Sequence, residues 1–204
     1  MKIAVIGSEN QRSLFNQFNS EIEWIGIASV EEAMGLSDIS AIFNLESTAW
    51  QVDYSKLKTA VFINSVSHTL KEKNHNKNVI RFNGWNGFPE RAIWEYAGIA
   101  NETHISIAAL LQKKLVEVPD EPGFISACVI GMIINEAYFA KGEKVSTEDE
   151  IDTAMKLGTN YPKGPFEWKR EIGIQPIFEL LDTLKQQDDR YLPAPELTKE
   201  ALNG

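Results

Sequence analysis

The stretch Pro119-Asp-Glu-Pro-Gly123 divides this sequence into two halves that obey different periodicities. Two prolines and a glycine within five residues punctuate the chain, because proline lacks a backbone N–H and glycine loosens φ. Before that point, short runs rich in Ile, Val and Phe recur at residues 2–7, 24–28, 41–45, 60–63, 79–82 and 115–118. Each reads as a buried strand running into a turn. Leu14, Phe15 and Phe18 fall at helical spacing, which predicts a short helix over 11–18, and residues 30–34 suit one more helical turn. Asn101 caps a stretch in which Ile105, Ala108, Ala109 and Leu110 recur at helical spacing. Residues 92–97 fit a strand or a helix, and the polar run 71–77 is expected to be a surface loop. Strands separated by short helical connections predict an open, mostly parallel α/β sheet.

After Gly123 the chain is helical almost to its end. Residues 124–140 are strongly apolar, with Gly142 expected as the C-cap. Thr147 followed by Glu150 is a capping box opening a helix over 148–157, stopped by Gly158. Pro165 suits the first position of a short helix ending near Gly173. Ile177, Leu180, Leu181 and Leu184 mark the next helix, and Pro193 and Pro195 break the pattern before a terminal one over 196–202. The expected organisation is an α/β domain over 1–118 and an all-helical domain over 119–204.

Composition excludes several function classes. Twenty Lys and Arg against 29 Asp and Glu, a net charge of −9, argue against a basic nucleic-acid-binding face. The lone Cys128 forms no internal disulfide and no CxxC site, and within an apolar helix it reads as a small buried side chain. No stretch approaches about 18 uncharged apolar residues, and the N-terminus lacks a signal-peptide pattern, so a cytoplasmic protein with no membrane partner is expected.

Four blocks in the second half carry a resemblance. In order they are Asp120-Glu-Pro-Gly-Phe-Ile125, Asn135-Glu-Ala137, Glu150-Ile-Asp-Thr-Ala-Met-Lys-Leu-Gly158 and Tyr161-Pro-Lys-Gly-Pro-Phe-Glu-Trp168. Their order and spacing resemble the helical domain of the 3-hydroxyacyl-CoA dehydrogenases over roughly residues 115–200. The resemblance implies a Rossmann-like first domain, here truncated to about 115 residues, and a helical domain of the kind that builds a homodimer. It implies NAD as cofactor, an acyl-CoA ligand, and oxidation of an L-3-hydroxyacyl-CoA to the 3-oxo thioester.

The same resemblance assigns roles residue by residue. The glycine fingerprint after the first strand needs three small positions: for the turn, for the pyrophosphate, and for close packing of helix on strand. Gly7 fills the first, whereas Glu9 and Arg12 stand at the second and third. Ala28 and Ser29 stand where an acidic ribose ligand is expected, with Glu31 and Glu32 past the strand end. The family's base, a His on a loop after a strand, falls on Asn86, with Trp85 as the near alternative; neither accepts a proton near neutral pH. Glu95 matches the Glu that orients that His, and Ser67 matches a substrate-binding Ser. A substrate-binding Asn falls on Ala127, with Ser126 one position away. A positioned base is worth roughly 10²–10⁴ in rate and an oxyanion-type donor about 10²–10³, so replacing both implies impaired or altered chemistry.

The remaining candidates have two readings each. His68 follows Ser67 where ligands of open α/β sheets approach; it is a stand-in base oriented by Glu95, or a loop histidine half in water. His75 is expected to be solvated and His104 exposed, and three histidines so spaced predict no metal site. Trp85, Trp94 and Trp168 line an acyl pocket or, as aromatic residues more often do, fill core. Lys71, Lys73, Lys77 and Arg81 meet CoA phosphates or form a solvated loop. Three functions stay open: a divergent dehydrogenase, a non-catalytic homodimeric relative with a decayed NAD site, and an acyl-CoA-binding module without redox chemistry.

Overall fold

Alternation organises the first half. In β1 (Lys2–Ile6), Ile3 and Val5 turn to one face of a sheet and Ala4 and Ile6 to the other, and all four are buried. A strand apolar on both faces belongs in the middle of a covered, mostly parallel sheet. The computed structural model, which describes residues 1–73, 75 and 77–203, places it there. The further strands are β2 (Glu23–Ile27), β3 (Ile39–Asn44), β4 (Ala60–Asn64), β5 (Val79–Phe82), β6 (Ile93–Gly98) and β7 (Lys114–Glu117). They form one sheet in the order β2-β1-β3-β4-β5-β6-β7. Every pairing is parallel except β5 with β6.

Helices cover both faces. Phe15 of α1 (Glu9–Phe18) and Ile107 of α3 (Glu102–Leu110) join Phe43, Phe62, Phe82 and Trp94 on one side. Phe43 and Phe62 lie ring on ring, centroids 4.3 Å apart. On the other side, Val30 and Ala33 of α2 (Val30–Met34) join Ile6, Ile42, Val61 and Ile63. Residues 92–97, ambiguous by pattern, are strand because Trp94 buries its ring in the aromatic face. The polar run 71–77 begins inside a 3₁₀ turn, Leu70–Lys73, while Asn74 and Asn76 lie outside the described residues.

The structure divides into two compact units, Met1–Glu121 and Pro122–Gly204. The second is built around α4 (Ile125–Gly142), followed by α5 (Glu148–Thr159), α6 (Pro165–Ile172), α7 (Ile174–Leu184) and α8 (Pro195–Asn203). Its signature blocks are internal clamps. Buried Asn135 donates through Nδ2 to Leu192 O (2.9 Å) and accepts from Ala194 N–H (2.8 Å), which pins the turn before α8. Asp152 accepts from Phe166 N–H (2.7 Å) and from Arg170 Nη2 (3.1 Å), which caps α6 from α5. Gly164 sits where a Cβ would lie 2.3 Å from the Asp152 carboxylate, so glycine is required by close approach. Gly123 has φ +84°, and a Cβ there would collide with Cys128 Sγ.

The α6 helix ends at Gly173 as expected, whereas three other helix boundaries depart from expectation. Gly142 remains inside α4, whose C-cap is Glu143, and Gly158 remains inside α5, whose C-cap is Asn160 at φ 56°. Asparagine enters the left-handed region because its short amide satisfies local backbone groups. Pro195 opens α8 rather than preceding it, since the first helical turn needs no N–H from that position.

Candidate functional site

The chain runs from β1 out to β2 and then back across to β3, so strand order reverses at β1/β3. Ligands of open α/β sheets bind outside the strand C-termini at such a point. Gly7, the 44–46 segment, the 64–68 segment and the 83–86 segment all leave the sheet on that edge.

Gly7 stands at the first turn, as the fingerprint requires, but its surroundings do not fit a dinucleotide pyrophosphate. A Cβ on Gly7 would meet Gln11 Oε1 at 2.9 Å, so that side chain occupies the space above the turn. Glu9 places a carboxylate at the first helical position. Arg12 lies along Gly26 of β2, 2.9 Å from where a Cβ would stand, so the close approach of helix and strand comes from a glycine on the strand. At the end of β2, Glu32 folds back from α2 and its Oε2 accepts from Ala28 N–H (2.7 Å).

The antiparallel β5–β6 pairing decides which residue faces Glu95. Ile80 pairs with Gly98, Arg81 with Ala97 and Phe82 with Tyr96. The next step of this register brings Asn83 opposite Glu95. Asn83 is buried, whereas Asn86 is exposed on the following turn. The expected base position at Asn86 thus lies on the exposed turn, three residues beyond the one that leaves β5. Trp85 is buried against Phe88 and offers no alternative.

Ser67 is buried just past the end of β4, and His68 follows it half-buried. The His68 ring stacks on Trp50, centroids 3.7 Å apart. The preceding residue is tied to β3: Asn44 Nδ2 donates to Tyr54 Oη (2.8 Å), which donates to Ala49 O (2.9 Å). The carboxylate at His68 Nδ1 is Glu72, at 2.9 Å, and not the expected Glu95. Glu72 also accepts from Thr69 N–H (2.8 Å). Burial pushes Glu72 up, but the Thr69 amide and His68 outweigh it and hold the carboxyl below its ordinary range. A carboxylate on Nδ1 orients the imidazole.

The other histidines are structural. His75, expected to be solvated, is half-buried with Nε2 2.9 Å from Trp50 O. His104, expected to be exposed, is fully buried: it accepts at Nδ1 from Asn101 N–H (3.2 Å) in the α3 capping box, and Nε2 lies 3.3 Å from Val61 O. Its helix lies over the sheet, so the first-turn position that pattern leaves ambiguous faces inward. Burial lowers the pKa of both.

Arg81 corrects the reading of a basic stretch. It is fully buried on β5, with Nε donating to Asp120 Oδ1 (2.7 Å), Nη1 to Ser65 O (3.1 Å) and Nη2 to Glu121 O. A guanidinium satisfied in this way is unavailable to a phosphate. Trp94 and Trp168 are buried in their own units, Ala127 is buried on α4, and Cys128 is half-buried. Among the described residues, no group of three His, Cys, Asp or Glu side chains is placed to hold a metal, and no helix is long and apolar enough to cross a membrane.

Sequence reasoning missed Gln11, Glu72 and Asn83. The first had a signal, since Ser8-x-x-Gln11 is a capping-box pattern. The second is four residues from His68 within one turn. The third depends on register alone.

Comparison with known proteins places the second unit. Residues 123–203 match the model of the 3-hydroxyacyl-CoA dehydrogenase C-terminal domain. The 3-hydroxyadipyl-CoA dehydrogenase of Escherichia coli is 41% identical over 92 residues, covering 44% of this chain and 19% of that protein. A probable 3-hydroxybutyryl-CoA dehydrogenase of Bacillus subtilis is 36% identical over 110 residues, 52% of this chain and 38% of that one. The chain thus spans well under half the length of these relatives. The structure of an (S)-3-hydroxybutyryl-CoA dehydrogenase from Ralstonia eutropha superposes with a TM-score of 0.67 at 18% identity, covering 100% of this chain and 94% of the other, and so shares its fold. A seven-stranded Rossmann-like sheet thus precedes a helical unit that is similar, over residues 123–203, to the C-terminal domain of the 3-hydroxyacyl-CoA dehydrogenases.

Proposed function

We propose that this protein binds an acyl-CoA thioester as a cytoplasmic homodimer joined through its helical unit, with the family's NAD-linked oxidation of a 3-hydroxyacyl-CoA impaired. The observation that carries the reading is the register of β5 and β6. Continued one step past Phe82↔Tyr96, it supports a pairing of Asn83 with Glu95, in a segment where the resemblance implies a histidine as proton acceptor. A carboxamide donates a hydrogen bond to a hydroxyl or oxo group of an acyl chain, but takes up no proton near neutral pH. Ala127, at the position of the family's substrate-binding Asn, offers no polar group at all.

The test is a pair of measurements on the full chain. Calorimetric titration with acetoacetyl-CoA is expected to show saturable binding that CoA alone does not match. Oxidation of 3-hydroxybutyryl-CoA with NAD is expected at least about 10²-fold slower than by the B. subtilis relative assayed beside it. Absence of acetoacetyl-CoA binding, or a rate equal to the relative's, overturns the proposal.

One observation favours a second reading: His68 Nδ1 stands 2.9 Å from Glu72. In that reading His68 is the proton acceptor of an altered dehydrogenase and Glu72 positions it. Residual turnover would then vanish in His68→Ala, and Glu72→Gln would shift its pH profile. Turnover that persists in His68→Ala removes the second reading.

A further inference from the structure

We infer that the Gln11 side chain occupies the anion site at the N-terminus of α1, which closes this edge of the sheet to the pyrophosphate of a dinucleotide. An anion at a helix N-terminus is held by the free N–H groups of the first turn and by the helix dipole. Here two of those donors are engaged internally. Ser8 N–H donates to Gln11 Oε1 (2.9 Å), and Gln11 N–H donates to Ser8 Oγ (3.3 Å). The same amide oxygen stands where a Cβ of Gly7 would approach to 2.9 Å, so the gap that a glycine leaves for phosphate is filled by an acceptor with no attraction for one.

The amide does not stand alone. Gln11 Nε2 donates to Leu45 O (3.4 Å), and Asn64 Nδ2 donates to that carbonyl as well (3.2 Å). Gly84 N–H in turn donates to Asn64 Oδ1 (3.1 Å). This run of hydrogen bonds links the C-terminal ends of β1, β3, β4 and β5 across the reversal point where a dinucleotide would lie. A Cβ on Gly84 would stand 2.8 Å from the Asn64 side chain, so the last link requires glycine. Two charges bear on the same turn. Glu9 repels an anion from the first helical position, and Arg12, the nearby cation on α1, is laid along Gly26 of β2.

This inference concerns the cofactor edge alone and goes beyond the acyl-CoA reading. Failure of acetoacetyl-CoA to bind would overturn that reading and leave this one standing. The test titrates the full chain with NADH, followed by nicotinamide fluorescence, and with inorganic pyrophosphate, followed by the amide resonances of Ser8 and Gln11. Wild type and Gln11→Glu are expected to show no saturable response to either probe at micromolar concentration. The double variant Glu9→Gly/Gln11→Ala is expected to bind NADH at least about tenfold more tightly than wild type and to move both amides with pyrophosphate. Far-UV circular dichroism checks that it folds. Saturable micromolar NADH binding by wild type or by Gln11→Glu overturns the inference, whether or not the double variant folds. A folded double variant that responds no more than wild type also overturns it.

Discussion

At the scale of single residues, burial decides roles that residue type leaves open. Arg81 and His104 are both side chains that a sequence reader places in water. Each is fully enclosed, Arg81 by Asp120 and two carbonyls, His104 by the α3 cap and Val61. Enclosure of His104 has a consequence for stability. Burial lowers its pKa below the ordinary 6.5, with the Val61 carbonyl opposing the shift. In the window between the lowered value and about 6.5 the unfolded chain therefore binds the extra proton and the native chain does not, so stability rises with pH across that window. Urea unfolding is expected to show stability falling as pH drops from about 7 toward about 5, and His104→Gln is expected to show a smaller fall. His75, lowered in the same direction, and the lowered carboxyls of Glu72, Glu167 and Glu200 contribute to the slope that remains. An unchanged slope in His104→Gln would exclude this assignment.

At the scale of elements, helix beginnings marked by a cap were legible, and endings inferred from a glycine were legible at Gly173 but not at Gly142 or Gly158. Thr147 with Glu150, Asn101 and Pro165 all stand at the N-termini where their chemistry belongs. An N-cap is a bond between a side chain and a backbone three residues away, so it is written in local sequence. Gly142 and Gly158 do not end their helices, because a glycine permits the left-handed turn without enforcing it, and Lys144 and Asn160 take the positive φ instead. The clamp from α5 to α6 gives an element-scale prediction. Gly164→Ala would drive a Cβ to 2.3 Å from the Asp152 carboxylate, which must move away from Phe166 N–H and Arg170. Overpacking and a lost cap are each worth about 1–2 kcal/mol, so a loss of roughly 2–4 kcal/mol is expected in thermal or urea unfolding. A loss under about 0.5 kcal/mol would show that the clamp is dispensable.

At the scale of the whole molecule, the helical unit carries the proposed self-association. Ile125 and Val129 are 65% and 53% exposed one helical turn apart on the apolar helix α4, between the first two signature blocks. Light scattering at micromolar concentration is expected to give twice the 22.9 kDa chain mass, and Val129→Glu is expected to return it to one. A monomeric wild type would remove the dimer from the proposed function. The sequence by itself determined the division near residue 120, the alternation that makes β1 a central strand, and the signature blocks of the helical unit. These depend on backbone period and on contacts a few residues apart, which any reader of the chain can count. Only the tertiary structure decided that Asn83 is buried while Asn86 is exposed, that Glu72 meets His68 Nδ1, and that Gln11 fills the space above Gly7. The first follows from where β5 leaves the sheet, and the other two from where a turn and a capping side chain come to rest. Each is settled by packing across the sheet edge, because the residues that meet there are chosen by the fold rather than by their spacing.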